Sequence, residues 1–597
     1  FGGNISIRGK SATSVTTYTS SIGPVSNANG IRAHGNITVD AGAGKLSLWG
    51  YAQSSSGSSN GIELSTSAST YKSSSSAADA ITMQGTATNS TAANAFGIYF
   101  WNGSSVLASN GGGISITGSG AVNSGVVIPA GSAVLSTGGP ITLTGTGYGS
   151  GFNAVDVSGH VGLKAGSTIT TSPSDITLVG DKMSLTGSLA SSGAFVLKPY
   201  TTGTTIGLGS GSGTLSLAAS VFGGSVVKDG FSSITIGSST AGNMTVGGAL
   251  SFTDSTTLLT NGNMTLNSGT AITNSQASGY MALAATGNFI NNAGASAIST
   301  TDAGATDRWI VYSNTPLSNT FGSLNSANTP VWGSTFATLA PSSVAAGNRY
   351  VFASSPSVVV STTSTNKTYG STLDPYSLVS IGGGAGSSVY TDFTLNDVFS
   401  ALPAVTSSGA VNTAVVGNYA VTATGGTVNS GYTVSFNNIG VLTVTRKPVT
   451  LAGTISSTKV YDGTTAAIVT DNTLVGLETW DSAANVTFSG SGSYASKNVG
   501  TGIAMSYTGT LSGSAAGNYS FANPTGLTGD ITVRDSVTWV GGASGEWFNP
   551  ANWAVTGSLG TTGVVPDKSN VLAVVVPQGK TISFDQNTLS GSAESGA

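Results

Sequence analysis

The chain has 597 residues and a formal net charge of −4, and only 7% of its residues are Asp, Glu, Lys or Arg, against about 25% in ordinary soluble proteins. It has no cysteine, which excludes a disulfide framework, thiol catalysis and Cys-ligated metal; its scattered basic residues leave no electrostatic footprint for nucleic acid. Gly, Ser, Thr and Val abound while Glu is confined to Glu63, Glu478, Glu546 and Glu594, a balance that supports strands and little helix.

Twelve stretches of the first 300 residues alternate an apolar residue, Ser or Thr, and a second apolar residue. They begin at Ile5, Ile37, Leu46, Ile81, Ile114, Ile141, Ile176, Met183, Leu215, Ile234, Met244 and Met264. Period-two alternation marks a strand with one buried face. Several copies lie 19, 20 or 27 residues apart (Leu215 to Ile234, Met244 to Met264, Ile114 to Ile141), close to one turn of a stacked repeat. Residues 1–300 therefore read as a right-handed parallel β-solenoid in an all-β chain, a rod whose turns shield one another's aliphatic rungs. Turns such as Asn27-Ala28-Asn29-Gly30 separate the strands. The Ser-rich stretch 54–78 is expected as an exposed excursion, and bulky aromatics are expected to be rare in so narrow a core. Because the chain opens at Phe1 just before a strand pattern, an N-terminal part is expected either to have been processed away or to lie outside this sequence.

From 301 to 356 the composition changes: Trp309, Tyr312, Phe321, Trp332, Phe336, Tyr350 and Phe352 cluster here, with Arg308 beside them. A solenoid needs its open end sealed, so a cap or junction is one reading and an aromatic sugar-binding platform the other. Residues 357–447 and 448–535 carry a longer repeat. Lys367-Thr368-Tyr369-Gly370 matches Lys459-Val460-Tyr461-Asp462-Gly463, and Gly417-Asn418-Tyr419 matches Gly517-Asn518-Tyr519. Two tandem small β-sandwich or β-grasp-like modules follow from that repeat and its alternating strands, joined by a stiff link at Arg446-Lys447-Pro448. In 536–597 the tryptophans Trp539, Trp547 and Trp553 read as a second cap, with solenoid strands resuming behind it. The run 571–576, among the longest apolar ones, is far short of the ~20 residues of a membrane-spanning helix.

Catalytic chemistry is thinly represented. A hydrolase or lyase needs paired carboxylates or a His beside a nucleophile. The two histidines, His34 and His160, read as turn or surface residues, and Asp462 reads as a turn former ahead of Gly463. Acidic and basic residues do not recur at coil spacing, and no Gly-Gly-x-Gly-x-Asp calcium series occurs. Neither a cofactor nor a metal is expected. Absent cysteine fits chance, a cytosolic chain, or a secreted chain that must cross an outer membrane unlinked; the composition favours the last.

The residues also carry a family resemblance. Asp307-Arg308-Trp309-Ile310-Val311-Tyr312-Ser313 and Gly347-Asn348-Arg349-Tyr350-Val351-Phe352 resemble the segment after the solenoid in filamentous-haemagglutinin-like adhesins of two-partner secretion. Ala194-Phe195-Val196-Leu197-Lys198-Pro199-Tyr200 and Thr205-Ile206-Gly207-Leu208-Gly209 look like their coils. The module with Tyr369 and Gly370 is similar to the MBG-type repeat, and the one with Tyr461, Asp462 and Gly463 to the YDG repeat. Tyr419 and Tyr519 complete these module signatures. The resemblance implies export through an outer-membrane secretion barrel and a place at the cell surface or in a biofilm matrix of a Gram-negative bacterium. The family's N-terminal secretion domain is not recognised in this chain, so that route rests on the resemblance alone. The expectation is a non-enzymatic adhesin or matrix protein, a stiff multivalent rod contacting host cells, polysaccharide or neighbouring cells. The alternatives are a self-assembling filament subunit and, third, a polysaccharide-degrading β-helix enzyme.

Overall fold

A computed structural model of the chain describes residues 3–10, 29–33, 35–53, 59–64, 69–88, 95–101, 103–108, 110–147, 151–163, 174–300, 307–383, 389–390, 394–452, 457–468, 473–556 and 558–584. Two compact units divide it: residues 1–359 with 381–402 and 426–435, and residues 360–380 with 403–425 and 436–597.

The first unit is a parallel β-solenoid. Its longest sheet, face A, has twelve strands, from Ile5–Lys10, Leu46–Ala52 and Ile81–Ala87 to Tyr280–Ala285, Arg308–Ser313 and Arg349–Phe352. Through most of the unit the chain returns to face A after every third strand, so each coil has three sides. Face B stacks Ile31–Arg32, Ile62–Leu64, Ile98–Phe100, Val126–Ile128, Val155–Val157 and Met183–Leu185. Face C runs from Thr38–Asp40 to Ser188–Ala190, and beyond residue 200 a five-stranded and a three-stranded sheet take over from B and C. Neighbouring strands lie about 4.8 Å apart, so the eleven steps of face A span about 53 Å.

Register makes the core. Ile7, Leu48, Met83, Ile116, Leu143, Leu178, Leu197, Ile236, Leu258, Leu283, Val311 and Tyr350 form one inward column across all twelve rungs. From Leu48 onward every member is buried. A one-residue slip would turn the whole column to solvent, so the alternation fixes the pairing.

A second column explains several glycines. Gly9, Gly50, Gly85, Gly118 and Gly145 are in register on face A. A Cβ at Gly50 would lie 1.9 Å from the Gly61 carbonyl oxygen, one at Gly85 2.2 Å from that of Gly97, and one at Gly118 1.9 Å from that of Gly125. Faces A and B here approach backbone to backbone, and only a residue without a side chain fits.

Three expectations for this unit change. Face A continues past residue 300 to Phe352, because the aromatic segment supplies two further rungs. The stretch 54–78 is not one excursion: among its described residues Ile62–Leu64 and Thr70–Ser73 are strands of faces B and C, and Ile62, Leu64 and Tyr71 are core. Abundant serine hid apolar residues at strand spacing. Nor is the core wholly aliphatic, since Phe100, Phe195, Phe231, Phe252 and Phe289 are fully buried in it.

In the second unit one strand arrangement recurs. Thr365–Thr368 pairs in parallel with Val441–Thr445, Ser457–Val460 with Leu527–Thr532, and Ser544–Glu546 with Thr581–Ser583. After each first strand the same backbone bond follows: Tyr369 N–H to Thr445 O, Tyr461 N–H to Thr532 O and Trp547 N–H to Ser583 O, each at 2.9 Å. Lys447–Leu451 lies between antiparallel Leu474–Val475 and parallel Tyr519–Phe521. Arg534–Trp539 lies likewise between antiparallel Trp553–Val555 and parallel Val571–Val575. The segment after 534 thus repeats the module pattern and does not resume the solenoid. Its tryptophans fill a module core, where Trp539 and Trp553 are fully buried edge to face at 5.1 Å.

Candidate functional site

The aromatics of 308–352 close the last coils from within. Trp309 packs edge-on against Tyr350 at 5.2 Å, and Trp332 stacks on Phe352 at 5.0 Å. Phe321 and Tyr390 fill the space between, with Phe321 5.0 Å from Tyr350 and Tyr390 5.9 Å from Phe352. On the outer side, small Ala282 and Ala284 leave room for Tyr312, which meets Phe336 at 5.6 Å and donates to Leu339 O at 3.0 Å. Arg308 Nη2 donates to Pro341 O at 2.9 Å. Burial pushes the Tyr312 and Tyr350 hydroxyls far above the ordinary phenol range. Trp309, Tyr312, Trp332, Tyr350 and Phe352 are all 5% exposed or less. Rings so enclosed offer no face to a sugar, which removes the platform reading of this cluster.

The module residues build turns and packing networks. Lys367 and Lys459 are buried beneath their own turns. Lys367 Nζ donates to the carbonyls of Ser371 and Val411, both at 2.7 Å, and burial lowers its pKa. Lys459 Nζ donates to Asp462 Oδ1 at 2.8 Å, Thr464 O at 2.6 Å and Ala466 O at 2.8 Å. Asp462 Oδ1 also accepts from Thr464 N–H at 2.9 Å. Partial burial raises the Asp462 pKa, but these hydrogen bonds outweigh it and hold the carboxyl below its usual range. Gly370 and Gly463 have φ of 92° and 79°, a left-handed conformation that favours glycine.

Tyr369 reaches a polar cluster with Asp481 at its centre. Its hydroxyl and that of Tyr519 both donate to Asp481 Oδ2, at 2.8 and 2.6 Å, and Trp480 Nε1 donates to the Tyr369 hydroxyl at 2.8 Å. Tyr461 instead packs among Tyr494, Val537, Trp539, Trp553 and Val564. Trp547 lies edge-on to Trp553 at 4.7 Å. Tyr419 and Tyr519 do not occupy equivalent strands: Tyr419 pairs antiparallel with Leu442, Tyr519 in parallel with Lys447. Their shared Gly-Asn-Tyr is a match of letters at different places in the module. His34 lies outside the described residues. His160 belongs to the strand His160–Leu163, half-buried, with Nε2 2.9 Å from Leu163 O, and not to a turn.

Residue patterns missed one further constellation, on face B. Glu63 is 3% exposed, and its carboxylate accepts from Asn29 Nδ2 at 2.6 Å, Asn60 Nδ2 at 3.0 Å and Trp101 Nε1 at 3.0 Å, with Arg32 Nε at 3.1 Å. Trp101 lies edge-on to Tyr99 at 5.3 Å, Tyr99 is 4.9 Å from Phe96, and Phe96 is 6.3 Å from Phe152. Arg32, Glu63, Tyr99, Val127 and Asp156 form one column across successive rungs. A lone Glu between two strand apolars, followed one rung later by Tyr and Trp, was the available signal. Elsewhere on the solenoid, the Arg8 guanidinium sits 4.6 Å above the Trp49 ring, beside a shallow 340 Å³ recess also lined by Tyr51, Gln84 and Thr86.

The YDG domain family matches residues 445–526. Neither a curated protein nor a solved structure matches the chain.

Proposed function

We propose that this chain is a non-enzymatic adhesin or matrix protein held at the surface of a Gram-negative bacterium, with its solenoid serving as a stiff multivalent stalk. The observation that carries the reading is the twelve-rung sheet of face A, joined in one sequence to repeated small β modules, one of them of the YDG family. Along face A, Ser6, Ser47, Thr82, Ser115, Thr142 and Thr177 place one hydroxyl per rung in register. Many weak contacts on a scaffold that does not flex add as avidity. The modules before and after residue 447 take the MBG-type and YDG-type places, and an outer-membrane barrel partner exports the chain. Cells that display the chain and a deletion strain test the reading. The chain should be labelled by antibody on intact cells, and its loss should reduce attachment to surfaces or neighbouring cells. Label found only inside cells would end it.

One observation favours a second reading, a subunit of an extracellular filament. Among the described residues Val571–Val575 is an edge strand, in which Leu572 is 72% exposed and Val574 and Val575 are also exposed. Apolar edges of this kind invite pairing with another chain. Regular unbranched fibres in electron micrographs of the purified protein would select it.

A further inference from the structure

We infer that the outer surface of face B around Tyr99 and Trp101 binds a neutral polysaccharide, a ligand class that rests on the surface-adhesin reading above. Most large aromatics of the solenoid are interior. Trp101 and Phe152 are 38% and 37% exposed, and with Tyr99 and Phe96 they make one continuous relief.

The indole of Trp101 is fixed, not merely exposed. Its N–H is held by the Glu63 carboxylate, which is itself buried and held by Asn29, Asn60 and Arg32. Burying a carboxylate is costly unless it is fully hydrogen-bonded. Here that arrangement orients a ring at the surface, while Asn29 and Asn60 also accept from the backbone N–H groups of Asn60 and Phe96 in the following coils. A ring ordered before its ligand arrives loses little entropy on binding. Sugar rings present an apolar C–H face rimmed by hydroxyls, and they match a fixed aromatic face with polar groups at its margin.

Charge selects among sugars. Arg32 is already paired with Glu63, and Asp156 stands two rungs beyond Tyr99, about 9.6 Å along the axis. Beyond the Arg32–Glu63 pair the charged group of the column is the Asp156 carboxylate, so a uronate or sulfated chain meets repulsion there. Tyr99 and Asp156 are placed to exchange hydrogen bonds with neutral hydroxyls.

The test is affinity electrophoresis of the full chain in gels containing soluble β-glucan, mannan or galactan, with polygalacturonate as the anionic comparator. Retardation by at least one neutral polymer is expected. Trp101→Ala and Tyr99→Ala should each weaken it at least tenfold, while Trp49→Ala, which changes an exposed tryptophan elsewhere, should match the parent. Circular dichroism checks that the strands persist. The proposal is overturned if no neutral polymer retards the chain, if Trp101→Ala behaves as the parent, or if polygalacturonate is preferred. Surface labelling and attachment are scored separately: sugar binding lost from a correctly displayed chain defeats this ligand assignment alone, and absence from the surface defeats the adhesin reading.

Discussion

Replacing Gly118 by alanine tests the close approach of faces A and B. The added Cβ would sit 1.9 Å from the Gly125 carbonyl oxygen, 2.5 Å from its carbon and 2.8 Å from Val126 Cγ2. An ordinary contact needs over an ångström more, and the obstacles are mainly backbone, so no rotamer change relieves them. Alanine gains about 0.4–1 kcal/mol by restricting the unfolded chain. Overpacking a tight interior costs about 1–3 kcal/mol, occasionally more. With the backbone itself displaced the cost lies at the upper end, and a net loss of about 2 kcal/mol follows, carried by this coil and its neighbours because stacked repeats are coupled pairwise. A multi-unit chain does not melt in two states, so hydrogen exchange read by peptide is the suitable assay. Peptides of 114–128 and the flanking rungs should exchange about thirtyfold faster, the equivalent of 2 kcal/mol, with the second unit unchanged. Gly382→Ala, where the Cβ meets nothing within 4 Å, is the control. Unchanged protection in Gly118→Ala would refute the packing argument.

Leu143→Ala, in the middle of the inward column, should cost about 2–5 kcal/mol locally, seen as loss of protection in 114–146. Asp462 has a depressed pKa, so its stabilising contribution is present above the usual carboxylate range and fades as pH falls through its folded pKa. Acid should therefore loosen the turn at 459–466 in the parent, and Asp462→Asn should remove that dependence in a pH series of hydrogen exchange. Asp481→Asn leaves Tyr369 and Tyr519 competing for a weaker acceptor and should cost about 1–3 kcal/mol, with a shifted Trp480 emission and faster proteolysis near 446–448. Leu572→Lys with Val574→Lys should abolish any fibres seen by electron microscopy without changing the soluble chain's circular dichroism.

The solenoid was legible because its signal is local: Ile114-Ser115-Ile116 alternates, and its neighbour Ile141-Thr142-Leu143 repeats it one coil later. Coils whose inward residues are sparse, as in 54–78, were not, since Ile62 and Tyr71 are surrounded by Ser. The aromatic segment read as a terminal feature, yet its Trp309 and Tyr350 are also rungs, which depends on register with Met281 and Leu283 that no local pattern carries. The Lys-x-Tyr match located equivalent strands because a buried lysine must find carbonyls in its own turn. The Gly-Asn-Tyr match did not, because its residues have no such shared demand. Trp547 stands where Tyr369 and Tyr461 stand, with no letter in common; only the backbone bond reveals it. The Glu63–Trp101 pairing joins residues 38 apart on adjacent rungs, so the lone Glu63 and the later Tyr99 and Trp101 point to it only once the coils are stacked.

Path length between successive rungs of face A varies widely. Forty-one residues separate Ile5 from Leu46 and nineteen separate Ile176 from Phe195, yet both pairs are in direct register. Closing a loop twice as long costs only about 0.6 kcal/mol, so corner excursions can grow, shrink or change sequence at small expense. A lineage carrying this scaffold can revise what it presents to its surroundings at the corners while the inward residues of the rungs stay constrained by packing.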